Sequence, residues 1–133
     1  MQRSGLALIG LAMVAMLLLS ACSGGAAAST TPNASGPDGA QQVTLTVGNS
    51  MSFDPAAISV TAGRPVELML RNTGQMPHDL TLSDGVAQPV KITANGDQTA
   101  SGSFTIDKPG NYTFECSMPG HAAAGMRGTI TVQ

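Results

Sequence analysis

The sequence predicts an all-β domain, a Greek-key β-sandwich of seven to eight strands. Three observations carry this. Short runs alternating apolar and polar residues recur from residue 43 to the end; turn-forming residues separate them; and no stretch forms a convincing amphipathic helix. Alternation with a period of two turns every second side chain to one face, so each run offers a single apolar face to a core. Seven or eight such runs at close spacing pack as two sheets face to face.

The strands follow in order. "VTLTV" (Val43 to Val47) alternates strictly, and "ISV" follows at Ile58 to Val60. "PVELMLRN" sets Val66, Leu68 and Leu70 on one face and Glu67 and Arg71 on the other. "HDLTL" from His78, "QTASGSFTI" from Gln98, "NYTFEC" from Asn111 and "GTITV" from Gly128 continue the pattern. Turns are expected at Thr61 to Pro65, at Asn72-Thr73-Gly74, at Asn95-Gly96-Asp97 and at Asp107 to Asn111. "DGVAQPVKIT", from Asp84 to Thr93, is the stretch that fits no pattern cleanly.

The first 42 residues are of another kind. One basic residue, Arg3, precedes an uncharged apolar run from Leu6 to Leu19, the layout of a secretory signal peptide at residues 1–21. The run is short for a membrane span, which needs about 20 apolar residues. It ends in Leu19-Ser20-Ala21-Cys22, which resembles the bacterial lipobox. On that reading the chain is cut before Cys22 and Cys22 carries lipid; the alternative is an uncleaved anchor helix. Either way the domain is extracytoplasmic and tethered to a bacterial cell membrane. Residues 22–42 then form a flexible linker of Gly, Ala, Ser, Thr and Pro with a reach of roughly 25 Å. Residues 43–133 remain as one domain, expected to be a monomer.

Charge excludes one class of partner. Loss of Arg3 leaves five basic residues against eight acidic ones. No basic run exists and aromatic residues are 3% of the chain, so no nucleic-acid surface is expected.

The chemistry gathers near the C-terminus, in "FECSMPGHAAAGM". Cys116, His121 and Met126 stand five residues apart each time. In "NYTFEC", Tyr112, Phe114 and Cys116 share parity, so a core-facing Phe114 turns Cys116 inward as well. A buried cysteine is often an inert core residue. Exported proteins usually pair their thiols, however, and a lipidated Cys22 cannot pair with Cys116. A catalytic thiol, with His121 or His78 as its base, would need a motif the tail does not hold, and there is no Cys-x-x-Cys. A metal site explains more. Pro119-Gly120 and Gly125 allow the chain to fold back and bring the thiolate, the His121 imidazole and the Met126 thioether to one point. The chain's one other histidine, His78, opens the "HDLTL" run. Two imidazoles and a thiolate in a plane, with a long axial thioether, make a type 1 copper site. Structural zinc prefers four strong ligands without methionine.

The Cys-x4-His-x4-Met spacing, the upstream "MPHDL" and the closing "GTITV" resemble the cupredoxins, the small blue copper proteins. Within that family the spacing is similar to the auracyanins and related membrane-tethered plastocyanin-like proteins. The resemblance covers about Val43 to Gln133. It implies a β-sandwich, one type 1 copper ion held by His78, Cys116, His121 and Met126, and one-electron transfer between membrane-associated redox proteins. Two departures stand out. The Cys-to-His interval is longer than in plastocyanins proper. Asp79 also follows the first histidine, where many cupredoxins have asparagine. The backbone hydrogen bond to the cysteine sulfur is compatible with that change; whether a side-chain bond across the ligand loops survives it is left open by the sequence.

An enzyme is not expected. Multicopper oxidases and nitrite reductases need further histidines, and a binuclear copper centre needs two cysteines in one loop. The competing function is copper binding and delivery without redox turnover. Partners are expected to dock near His121, on an uncharged rim of Met76, Pro77, Met118, Pro119 and Ala122 to Ala124. Met51, Met69 and Tyr112 read as packing residues, and Glu115 as facing solvent.

Overall fold

The computed structural model describes Gly36 and residues 39–133. The expected signal peptide, the expected lipidation site at Cys22 and most of the expected linker lie outside these described residues. Eight strands form: β1 (Gln41–Val47), β2 (Ala57–Val60), β3 (Val66–Asn72), β4 (His78–Leu82), β5 (Val90–Ala94), β6 (Thr99–Phe104), β7 (Gly110–Glu115) and β8 (Arg127–Val132). One sheet has the order β1-β3-β6, the other β2-β8-β7-β4-β5. Two pairs are parallel, β1 with β3 and β2 with β8; the remaining neighbours are antiparallel.

The sheets pack through their apolar faces. Leu45, Leu68 and Leu70 from one sheet meet Leu80, Leu82, Phe114 and Ile130 from the other, and all are fully buried. Each such side chain contributes about 1.5–3 kcal/mol relative to exposure. Phe53 meets Phe114 edge to face, with ring centroids 4.9 Å apart. β3 shows the expected alternation in full, with Val66, Leu68, Leu70 and Asn72 buried and the residues between them exposed.

The strands depart from the sequence pattern in three places. β1 starts at Gln41, two residues before the apolar alternation. Gln41 is a polar residue that is buried because its amide is satisfied: it donates to the carbonyls of Thr61 and Arg64 and accepts from the Thr61 N–H at 2.6 Å. β5 lies in the stretch that fitted no pattern. It is a short edge strand whose own residues, VKITA, alternate; the irregular run from Gly85 to Pro89 before it obscures that pattern. Met69 does not pack inward as expected. It shares parity with Glu67 and Arg71 on the outer face of β3 and is 44% exposed.

Candidate metal centre

His78 is positioned by long-range structure. It opens β4, which is buried at four of five positions and paired on both sides. His78 itself is opposite Ala94 of β5. The turn that delivers it is held by Asn72, the buried last residue of β3. The Asn72 side-chain amide donates to the carbonyls of Met76 at 2.7 Å and Ala94 at 3.1 Å, and its oxygen accepts from the Gly74 N–H at 2.9 Å. One side chain therefore ties together β3, the turn and the strand opposite His78.

The other donors come from a single loop between β7 and β8. Its ends are closed by the Cys116 N–H donating to the Met126 carbonyl at 3.1 Å, and its middle by the Met126 N–H donating to the His121 carbonyl at 3.0 Å. The His121 N–H donates to the Met118 carbonyl, and the Ala124 N–H to the Gly120 carbonyl. Gly120 and Gly125 take φ values of 83° and 96°. These lie in the region that side chains with a Cβ rarely adopt. The backbone of one loop thus links Cys116, His121 and Met126 directly.

The two routes converge. The ligand atoms of His78, Cys116 and His121 all lie within 4.8 Å of one another. The Cys116 Sγ is 3.4 Å from His121 Nδ1, and the two imidazole rings are 5.0 Å apart by centroid. Cys116 and Met126 are fully buried, as is His78, while His121 keeps 9% of its surface.

The site is built to hold an ion. Both ring nitrogens of His78 are buried without a hydrogen-bond partner. Buried polar atoms left in that state cost about 1–3 kcal/mol, so they normally find a partner. Burial, and then the neighbouring His121, push the His78 pKa down, with the Gly48 backbone and Asp79 acting the other way. The balance favours the neutral ring, the form in which an imidazole ligates. Burial pushes the Cys116 thiol up, against backbone N–H groups of Asp79 and Met118 that favour the thiolate. A metal ion would supply the positive charge the thiolate lacks. The donor set of two imidazoles, a thiolate and a buried thioether has the softness of a type 1 copper site.

Asp79 behaves partly as expected. Its backbone N–H lies 3.5 Å from the Cys116 sulfur, so that bond survives. The side-chain link that the sequence left open is present. The Asp79 carboxylate accepts from the Ser117 N–H at 2.6 Å and from the Ser117 hydroxyl at 2.7 Å, across the two ligand segments. A carboxylate offers two acceptor oxygens, and Ser117 offers two donors, so the link needs no amide. Lys91 Nζ adds an ion pair at 3.1 Å. Burial pushes the Asp79 carboxyl up, but the Ser117 bonds and Lys91 outweigh it and hold the pKa below the usual carboxylate range.

Three contributors went unread in the sequence. Asn72 carried a signal, since "NTG" marks a turn in which an asparagine side chain bonds the backbone two residues on. Ser117 and Lys91 carried none, because their roles rest on register between distant strands. Around the site, Ala123, Ala124, Pro77 and Pro119 are exposed, Ala122 and Met118 partly so, and Met76 is also exposed. Glu115 lies at the surface beside Arg127, with 2.9 Å between Oε2 and Nε.

Comparison with known proteins agrees with this geometry. Residues 40–133 match the copper-binding proteins of the plastocyanin/azurin family. The chain is 36% identical over 87 residues to a plastocyanin of Prochlorothrix hollandica, covering 61% of this chain and 63% of that protein. It is 29% identical over 110 residues to the copper-resistant cuproprotein CopI of Rubrivivax gelatinosus, covering 68% of this chain and 66% of that protein. It thus spans just under two thirds of the length of these relatives. The structure is similar to auracyanin A, a blue copper protein from Chloroflexus aurantiacus. The TM-score is 0.63 at 22% identity, covering 71% of this chain and all of the other, a likeness of fold. The chain belongs to the plastocyanin/azurin family of copper-binding proteins.

Proposed function

We propose that this chain is an extracytoplasmic one-electron carrier and not an enzyme, with His78, Cys116, His121 and Met126 holding one type 1 copper ion. The observation that carries the reading is the convergence of three buried donors from two independently braced segments. When bound, copper supplies a one-electron couple that no side chain here offers. Cys116 gives up its proton and accepts from the Asp79 N–H; Met126 is kept beside the site by its backbone bonds to Cys116 and His121. Backbone bonds on both ligand segments would resist movement of these donors when an electron enters or leaves.

The exchange route runs through His121, the one imidazole with an edge at the surface. Ala122 to Ala124 beside it are small and uncharged, so a membrane-associated redox partner can approach without stranding a charge. The lipobox-like Leu19-Ser20-Ala21-Cys22 supports a lipid anchor at Cys22, with residues 22–42 as tether. A second reading, copper binding and delivery outside the cytoplasm, is favoured by the likeness to CopI.

Electron self-exchange between oxidised and reduced copies separates the two. A carrier exchanges rapidly, and Ala123→Lys slows it about tenfold or more, since two like charges must meet at the contact, while the visible spectrum stays unchanged. A delivery protein instead surrenders reduced copper to a strong chelator within seconds and shows no dependence of self-exchange on Ala123.

A further inference from the structure

Asp79 is a fully buried carboxylate that lies one residue from His78 and bonds the residue after Cys116. Holding the two segments together does not require its charge. A neutral amide oxygen would also accept the Ser117 N–H, more weakly, and would avoid burying an ion. The charge has instead been given a counter-ion. Lys91 lies two residues along β5 from Thr93, the partner of Asp79, on the same face of the sheet. Its Nζ is 3.1 Å from Asp79 Oδ2 and 3.0 Å from Ser117 Oγ, while its side chain remains 56% exposed. The pair is therefore lopsided: the anion is enclosed beside the metal centre, and the cation stands largely in water.

We propose that Asp79 and Lys91 form a charge pair that sets the reduction potential of the centre, Asp79 lowering it and Lys91 partly offsetting that effect. The proposal rests on the redox reading of the site. The oxidised centre carries one more positive charge than the reduced one, so a nearby anion favours the oxidised form and a nearby cation the reduced form. Enclosed charges act through a low effective dielectric, whereas exposed ones are screened by water and salt. The carboxylate therefore has the larger effect.

The test is voltammetry on the copper-loaded wild type, Asp79→Asn, Lys91→Gln and Lys91→Arg, with spectra of each. Asp79→Asn favours the reduced form tenfold or more, raising the potential by about 59 mV per tenfold. Lys91→Gln moves it the opposite way by about two- to threefold, as an exposed charge should. Lys91→Arg leaves it in place. In the metal-free proteins, the Ser117 amide proton resonance moves in Asp79→Asn and stays put in Lys91→Arg. A merely structural tie would shift both potentials in the same direction or not at all, and that result overturns the proposal. If Asp79→Asn does not fold, Lys91→Gln decides alone: a lower potential supports the pair, and an unchanged or higher one overturns it. A wild type with no thiolate-to-copper band and no one-electron wave defeats the redox reading and this proposal together. An intact band with unmoved potentials defeats this proposal only.

Discussion

His78 and the donors of the 116–126 loop reach the same point by opposite means. The His78 position depends on partners far along the chain: Ala94 across the sheet, and Asn72 at the end of β3. Cys116, His121 and Met126 lie within eleven residues, and their spacing is maintained by the loop's own backbone bonds. A ligand on a strand inherits the rigidity of the sheet; ligands on a loop need the loop to be locally determined. The centre joins the two, and the Asp79–Ser117 bonds are the seam between them.

If the comparison is right, damage to the His78 side costs fold stability, while damage to the loop side changes the site first. The largest effect on stability is expected at Asn72. Asn72→Ala removes the two donations and one acceptance that a buried side chain makes at the turn, and leaves the Ala94 carbonyl without the Asn72 side chain. Urea unfolding of the metal-free protein should show a loss of about 1–3 kcal/mol. An unchanged midpoint would mean the sheet alone places His78.

Gly125→Ala should cost less, about 1–2 kcal/mol. No atom lies within 4 Å of where its Cβ would sit, so the penalty comes from the backbone angle alone. Thermal melting measures it, and the accompanying change in copper affinity should exceed that of Asn72→Ala relative to the stability lost. A neutral result would show that the loop adopts its turn without help from glycine.

The smallest effect on the fold is expected at Met126→Gln. The oxygen of glutamine is a harder donor than the thioether and favours the oxidised ion, so the potential falls while the coloured thiolate site persists. A shift of about tenfold in the one-electron equilibrium would register as about 59 mV in voltammetry. No shift would place Met126 in the core and off the metal.

The same contrast explains what could be read from the sequence. The loop was legible because its donors, turn residues and spacing are adjacent in the chain. Seven strands were legible because their sequences alternate in period two between turn residues, even in β4, where both faces are buried. β5 was not, since its five alternating residues directly follow an irregular run holding Gly85 and Pro89, which breaks the pattern. The parallel pairing of β1 with β3 was equally hidden, because alternation reports which face is apolar and says nothing of strand direction. The role of Asp79 was hidden for a related reason. Its side-chain partners, Ser117 and Lys91, are 38 and 12 residues away and meet it only once the strands are in register.

The central claim is that Cys116, brought together with His78 and His121, gives its thiolate to copper. The optical spectrum of the copper-loaded domain tests it most directly, read beside that of Cys116→Ser. The account predicts an intense visible cysteine-to-copper charge-transfer band at one copper per chain. The Cys116→Ser protein should lose it entirely while unfolding in urea with the cooperativity of the wild type. A Cys116→Ser protein that kept the band, or a wild type that bound copper without one, would contradict it.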